Sequence, residues 1–143
     1  MTRAVESGVI FIARIALATL FLWGGAMKLL GYAGFIGYLN AKGVPYATFV
    51  APLVVAIEVL GGILLVVGLR IRALGLILAL YTVATAILGH DFWNVTDASL
   101  QREMVVHFWK NIGIAGGFLL LIVTGAGRIS IDGARAPRGG LSL

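Results

Sequence analysis

Residues 52–68 read PLVVAIEVLGGILLVVG. The run is long and apolar enough to cross a bilayer, yet it carries an ionisable Glu58 at its centre. At helical spacing Glu58, Gly61, Gly62, Leu65 and Gly68 share one face. The glycines remove side-chain bulk beside the carboxyl, so a neighbouring helix can approach there. That makes the Glu58 face the packed one, with the acid looking into protein rather than lipid. A carboxylate at mid-membrane costs roughly 2.5–3.5 kcal/mol on insertion scales, so it marks a functional site that needs a named partner.

Composition extends this reading to the whole chain. Of its 143 residues 60% are hydrophobic and 12% charged, with no cysteine, and the mean hydropathy is +1.03. Those values belong to a polytopic membrane protein. Four spans of about 20 residues each use most of the length. The net charge of +5 is explained by Lys and Arg retained in cytoplasmic loops, without nucleic acid. Without cysteine, this chain cannot itself perform disulfide exchange, bind metal through thiolates or hold an iron–sulfur cluster.

The expected fold is an all-α, antiparallel four-helix transmembrane bundle with spans at 8–27, 47–68, 71–89 and 106–124. The first is too long for a signal peptide and reads as an uncleaved span. A short interfacial helix between spans one and two carries Tyr32, Phe35, Ile36 and Leu39 as its apolar stripe, stopped by Gly43 and Pro45. The link between spans two and three allows only a tight hairpin. Asp97 is the expected N-cap of the helix that becomes span four, and Gly113 and Gly117 give that span a GxxxG face. Residues 1–124 form one domain, and the Gly- and Arg-rich residues 125–143 read as a mostly disordered cytoplasmic tail. Seven arginines (3, 14, 70, 72, 128, 135, 138) fall at one end, whereas Lys28, Lys42, Arg102 and Lys110 fall at the other. This bias puts both termini in the cytoplasm.

Two polar groups stand out at depth. Glu58 lies about 15 Å from either end of its helix and Arg14 about 9 Å from the inner end of its own, a height difference of about 5–6 Å. Arg14 is therefore the expected counter-ion of Glu58, and Tyr81, at similar depth, the expected hydrogen-bond partner. The pair either fixes helix register or handles protons. A second cluster gathers at the outer ends: Lys28, His90, Asp91, Trp93, His107, Lys110 and Asn111, with Trp23 and Trp109 near the same level. It reads either as an interfacial belt or as a site for a redox head group, with imidazole and ammonium donors for carbonyl oxygens. A metal held by His90, His107 and Asp91, or a haem between the two histidines, is the weaker alternative, and neither metal nor haem is expected.

The run Arg14-x6-Phe21-x3-Gly25-x2-Lys28, then Pro52-x5-Glu58-x2-Gly61-Gly62-x5-Gly68, then His90-Asp91-Phe92-Trp93 and Phe108-x-Lys110-Asn111-x5-Gly117 resembles the DoxX family of small bacterial membrane proteins. The resemblance covers about residues 5–124. It implies a four-helix inner-membrane protein, tied through some members to quinol oxidation or thiosulfate:quinone oxidoreduction and through others to complexes that handle oxidative stress. On this reading a quinone or quinol is the expected cofactor. Glu58, Arg14 and Tyr81 carry the chemistry, and Lys28, His90, Trp93, His107, Lys110 and Asn111 bind the head group. Lipid and a membrane or peripheral redox protein are the expected partners, a homo-oligomer is left open, and no nucleic acid is expected. A non-catalytic assembly module of an oxidoreductase or stress-response complex is the alternative reading.

Overall fold

A computed structural model describes residues 2–135. Its helices are α1 (Arg3–Leu30), α2 (Tyr32–Ala41), α3 (Ala47–Val67), α4 (Ile71–Gly89), α5 (Ala98–Thr124) and the short α6 (Ile131–Arg135), with a 3-10 turn at Phe92–Asn94 before α5. The described residues contain no strand. Four helices are long and apolar enough to cross a membrane, and each predicted span lies on one of them. α1, at 28 residues, is about 42 Å long and so overshoots the hydrocarbon core. Asp97 caps α5 as expected, accepting from Ser99 N at 3.0 Å and Leu100 N at 2.8 Å. The predicted interfacial helix is α2.

α1 packs mainly on α3, and α4 mainly on α5. The α1–α3 contact depends on small residues. A Cβ on Gly62 would sit 2.6 Å from Leu22 Cγ, and one on Gly25 2.8 Å from Val59 Cγ2. Gly61 faces the other way and receives Leu78 of α4. The close approach of α4 to α5 is made by Gly75, whose Cβ would lie 3.1 Å from Ile122 Cγ1. The GxxxG expectation for α5 is not met: a Cβ at Gly113 meets nothing within 4 Å, and one at Gly117 meets only Leu17, at 3.8 Å. The helix that presses on α5 does so a turn further along, so the small residue belongs to α4.

The main core fills the end of the bundle where α1 starts and α5 finishes, termed the near end. Ala18, Phe21, Leu65, Ile71, Leu74, Leu78, Phe118 and Leu121 are buried there, with the Phe21 and Phe118 rings edge to face at 5.4 Å. The outward surface is apolar, with Ile12, Trp23, Leu53, Leu80, Leu120 and Val123 all exposed. This is the arrangement hydrocarbon requires and water would punish.

The expectation of a disordered end fails for residues 125–135, which fold across the near end; residues 136–143, including Arg138, lie outside the described residues. Asp132 accepts from Arg70 N at 2.9 Å and Ile71 N at 3.0 Å, satisfying amide groups at the start of α4. Arg128 N donates to Ser7 Oγ at 3.2 Å. Gly68 takes φ +70° and admits this segment, because a Cβ there would meet Ser130 Cβ at 2.4 Å. Composition suggested a solvated tail, but the helix ends offer orphan amides and carbonyls that the segment satisfies.

Candidate functional site

Glu58 is buried at 7% exposure, as the glycine face predicts, but its counter-ion is Lys28. Lys28 Nζ lies 2.9 Å from Oε1 and 2.8 Å from Oε2. The expected Arg14–Glu58 pair is absent. Side chains on a helix tilt toward its N-terminus, and α1 starts at the near end. The register of α1 on α3 sets Gly25 against Glu58 and Leu22 against Gly62. Arg14 therefore lies about 16 Å of helix below the acid's level and leans further away, whereas Lys28 lies less than a turn above it and leans down to the carboxylate. Heights counted from the ends of separately predicted spans miss that register. Gly24 makes room for the pair, since a Cβ there would come within 3.2 Å of Glu58 Oε2.

Arg14 is fully buried, and its guanidinium bonds only to backbone carbonyls. It donates to Leu65 O at 2.9 Å and Val66 O at 3.0 Å, in the last turn of α3, and to Ala126 O at 2.5 Å and Ile129 O at 3.0 Å. The carbonyls of a helix C-terminus lack intrahelical partners and carry partial negative charge, so they suit a guanidinium fork. Arg14 is a clamp on the near end, remote from the acid.

Tyr81 is where the sequence puts it: its hydroxyl donates to Glu58 Oε1 at 2.5 Å. Glu58 thus holds an ammonium and a phenol together, inside a shell that includes the Phe21 ring 6.0 Å from that of Tyr81 and the Phe35 ring 5.7 Å from Lys28 Nζ. Above this triad lies a cavity of about 610 Å³, walled mostly by apolar side chains from α1 to α5. Lys28, Glu58, Tyr81, His90 and Asn111 line it, as do Thr82, Thr85 and Lys42. Asn111 Nδ2 donates to Thr85 Oγ1 at 3.4 Å. Lys42 pairs with Asp91, so both ammonium groups lining the cavity are matched by carboxylates.

The other expected head-group ligands stand outside the cavity. His107 stacks on His90 at 5.1 Å with 25° between planes, leaving no room for a haem between them, and Lys110 Nζ lies 2.9 Å from His107 Nδ1. Lys110 is exposed. Trp93 is half exposed on the 3-10 turn, against Phe92 at 5.0 Å and Phe108 at 6.0 Å. Trp93 and Trp109 therefore read as belt residues. Among the described residues no group of three His, Cys, Asp or Glu side chains could hold a metal. Sequence reasoning missed Gly24, Thr85 and Lys42. The Gly24–Lys28 spacing of four, which places a gap beside a cation on one face, was the available signal for the first.

Fold and site together define a small four-span membrane protein with an ion-paired carboxylate beneath an apolar cavity. The DoxX family model matches residues 9–91, more than half of the chain, and the chain belongs to that family. Among its relatives, the inner membrane protein YphA of Escherichia coli (strain K12) is 40% identical over 90% of this chain and 91% of the relative. The inner membrane protein YqjF of the same strain is 39% identical over 91% and 94%. A Bacillus subtilis (strain 168) protein bearing the name "Putative oxidoreductase CatD" is 31% identical over 61% of this chain and 63% of its own. No solved structure matches the chain.

Proposed function

We propose that the protein is an inner-membrane redox subunit that binds a quinone or quinol head group in the cavity, at the Lys28–Glu58–Tyr81 triad. The observation that carries this reading is the position of the triad, the polar floor of a mostly apolar chamber in a chain that lies in lipid. Kinship with a relative named "Putative oxidoreductase CatD" and with inner membrane proteins supports it. A quinone supplies two-electron, two-proton chemistry when bound. The residues fit its uncharged head: Lys28, with one N–H beyond the two that Glu58 takes, is a donor for one ring oxygen, Tyr81 holds the carboxylate through its single O–H, Asn111 is a donor nearer the mouth, and no unmatched charge lines the wall.

On this reading Glu58 and Tyr81 move protons. Transfer of the Tyr81 proton to Glu58 leaves a phenolate, a neutral acid and the Lys28 ammonium, so the triad's net charge is unchanged, and a proton passed on to the ligand is replaced from water. Electrons come from a partner redox protein, since a chain without cysteine and without a flavin-binding motif has no evident carrier of its own. Arg14 positions the near end and takes no part in the proton step. Both termini lie in the cytoplasm, in keeping with the basic residues there, so the cavity opens toward the outer leaflet.

Binding of decylubiquinone to the purified protein in nanodiscs tests the reading. Saturable binding is expected, weakened at least tenfold by Lys28→Met and changed less than twofold by Lys110→Ala. A folded protein that shows no saturable binding overturns it. The doubly satisfied Glu58 also suits an assembly module whose ion pair fixes the α1–α3 register. In that case Glu58→Gln lowers the yield of assembled partner complex without changing the turnover of what assembles.

A further inference from the structure

The cavity lies on the seam between two separately packed clusters. Phe21, Tyr81 and Ile114 on its walls belong to the main core, whereas Phe35, Leu39, Val44 and Val50 belong to a smaller cluster in which α2 packs on the start of α3. α3 and α4 are joined by a tight turn at the near end and meet where Gly61 receives Leu78. Toward the far end Val50 and Val54 of α3 and Ala84 and Leu88 of α4 instead line the cavity, and Leu88 is also 57% exposed on the outer surface.

α2 crosses that gap. It is rooted on α3 through its apolar stripe and reaches the end of α4 through two polar contacts. The Tyr38 hydroxyl donates to Gly89 O at 3.0 Å, and the Lys42 ammonium pairs with Asp91. Lys42 Nζ lies 5.9 Å from the Tyr38 ring centroid, so the two contacts form one unit. The connection from α2 to α3 runs through Gly43 at φ +70° and Tyr46 at φ 55°, the second a strained conformation for a bulky residue, of the kind found at switch segments.

We infer that α2 is a gate over the cavity and that Tyr38 and Lys42 are its latch, opening the gap between the far ends of α3 and α4 to an uncharged, lipid-soluble ligand arriving from the bilayer. Charge supports that ligand class: Lys28 and Lys42 are already paired with Glu58 and Asp91, so the chamber has no free cation to draw an anion from water. The latch is weak enough to open on thermal time scales. A partly exposed ion pair and one neutral hydrogen bond each shift such an equilibrium by about three- to tenfold. The gate follows from the cavity's walls alone and serves any apolar ligand, so it stands apart from the quinone assignment.

The chain has no cysteine, so Thr85→Cys in the cavity wall gives a single reporter. Its alkylation is followed in proteoliposomes with N-phenylmaleimide, which is uncharged and lipid-soluble, and with a sulfonated maleimide. Asp91→Asn or Tyr38→Phe in that background should speed N-phenylmaleimide at least threefold, while the sulfonated reagent stays at least tenfold slower. The charge-swapped variant Lys42→Asp with Asp91→Lys restores a pair and should return the rate to within twofold of the parent, which separates a latch from general loosening. An increase below threefold, a sulfonated reagent that reacts as fast as the uncharged one, or a swap that stays fast overturns the gate.

Discussion

Lys28 Nζ bridges both carboxylate oxygens of Glu58, at 2.9 and 2.8 Å, and through them ties α1 to α3 in the middle of the bundle. Glu58 is buried and Lys28 only 29% exposed at its side chain, so removing either leaves the other without its main partner. Lys28→Met and Glu58→Gln should each lower the midpoint of thermal unfolding in detergent. The double variant should lose less than the sum of the two, with a coupling of about 1–3 kcal/mol. Strictly additive losses would mean that the two groups do not depend on one another.

Tyr81→Phe keeps the ring against Phe21 and deletes only the hydroxyl that donates to Glu58 at 2.5 Å. A hydrogen bond to a charged acceptor contributes about 1.5–3 kcal/mol, so a clear loss of stability is expected from a change that leaves no cavity in the core. The same variant should bind decylubiquinone at least fivefold more weakly. Binding equal to that of the parent would remove Tyr81 from the site while leaving its structural role intact.

The four spans, the short helix after the first and the burial of Glu58 were all legible, because each rests on a local pattern: an apolar run, a stripe ended by Gly43 and Pro45, a glycine face. The partner of Glu58 was not. Choosing between Arg14 and Lys28 needs the register of α1 on α3, which sets Gly25 against Glu58 and which heights counted from the ends of separately predicted spans do not give. The cavity was half legible. Lys28, His90 and Asn111 fall into it, but His107, Lys110 and Trp93 share their level and face elsewhere, since depth alone does not say which way a residue points around a helix. Residues 125–135 misled for another reason: Gly and Arg content signals solvation only when no orphan backbone groups wait nearby.

Arg14→Met should release that terminal segment. The side chain is fully buried and donates to carbonyls of residues 65, 66, 126 and 129, and Met replaces its bulk but none of its four bonds. Trypsin should then cut at Arg128 or Arg135 at least tenfold faster than in the parent, and thermal stability should fall by about 3 kcal/mol or more. Decylubiquinone binding should change little, because Arg14 does not line the cavity. Loss of binding without faster cleavage would return Arg14 to the acid's side of the bundle.

Two glycine-to-alanine changes on different helices should part company. A Cβ on Gly62 would lie 2.6 Å from Leu22 Cγ and 3.3 Å from the Leu22 backbone nitrogen. Rotating the leucine relieves only the first contact, so α1 and α3 must separate, at a cost of about 1–3 kcal/mol for overpacking. Gly113 has nothing within 4 Å of the same added atom, and alanine there gains about 1 kcal/mol of helix propensity at most. Gly62→Ala should therefore lower the unfolding midpoint and weaken ligand binding, since the Lys28–Glu58 bridge spans the helix pair that is forced apart. Gly113→Ala should leave both within error or slightly raised. A marked loss from Gly113→Ala would mean that this exposed face is covered by another chain in the membrane, and a silent Gly62→Ala would contradict the closeness of α1 and α3 on which the position of Glu58 depends.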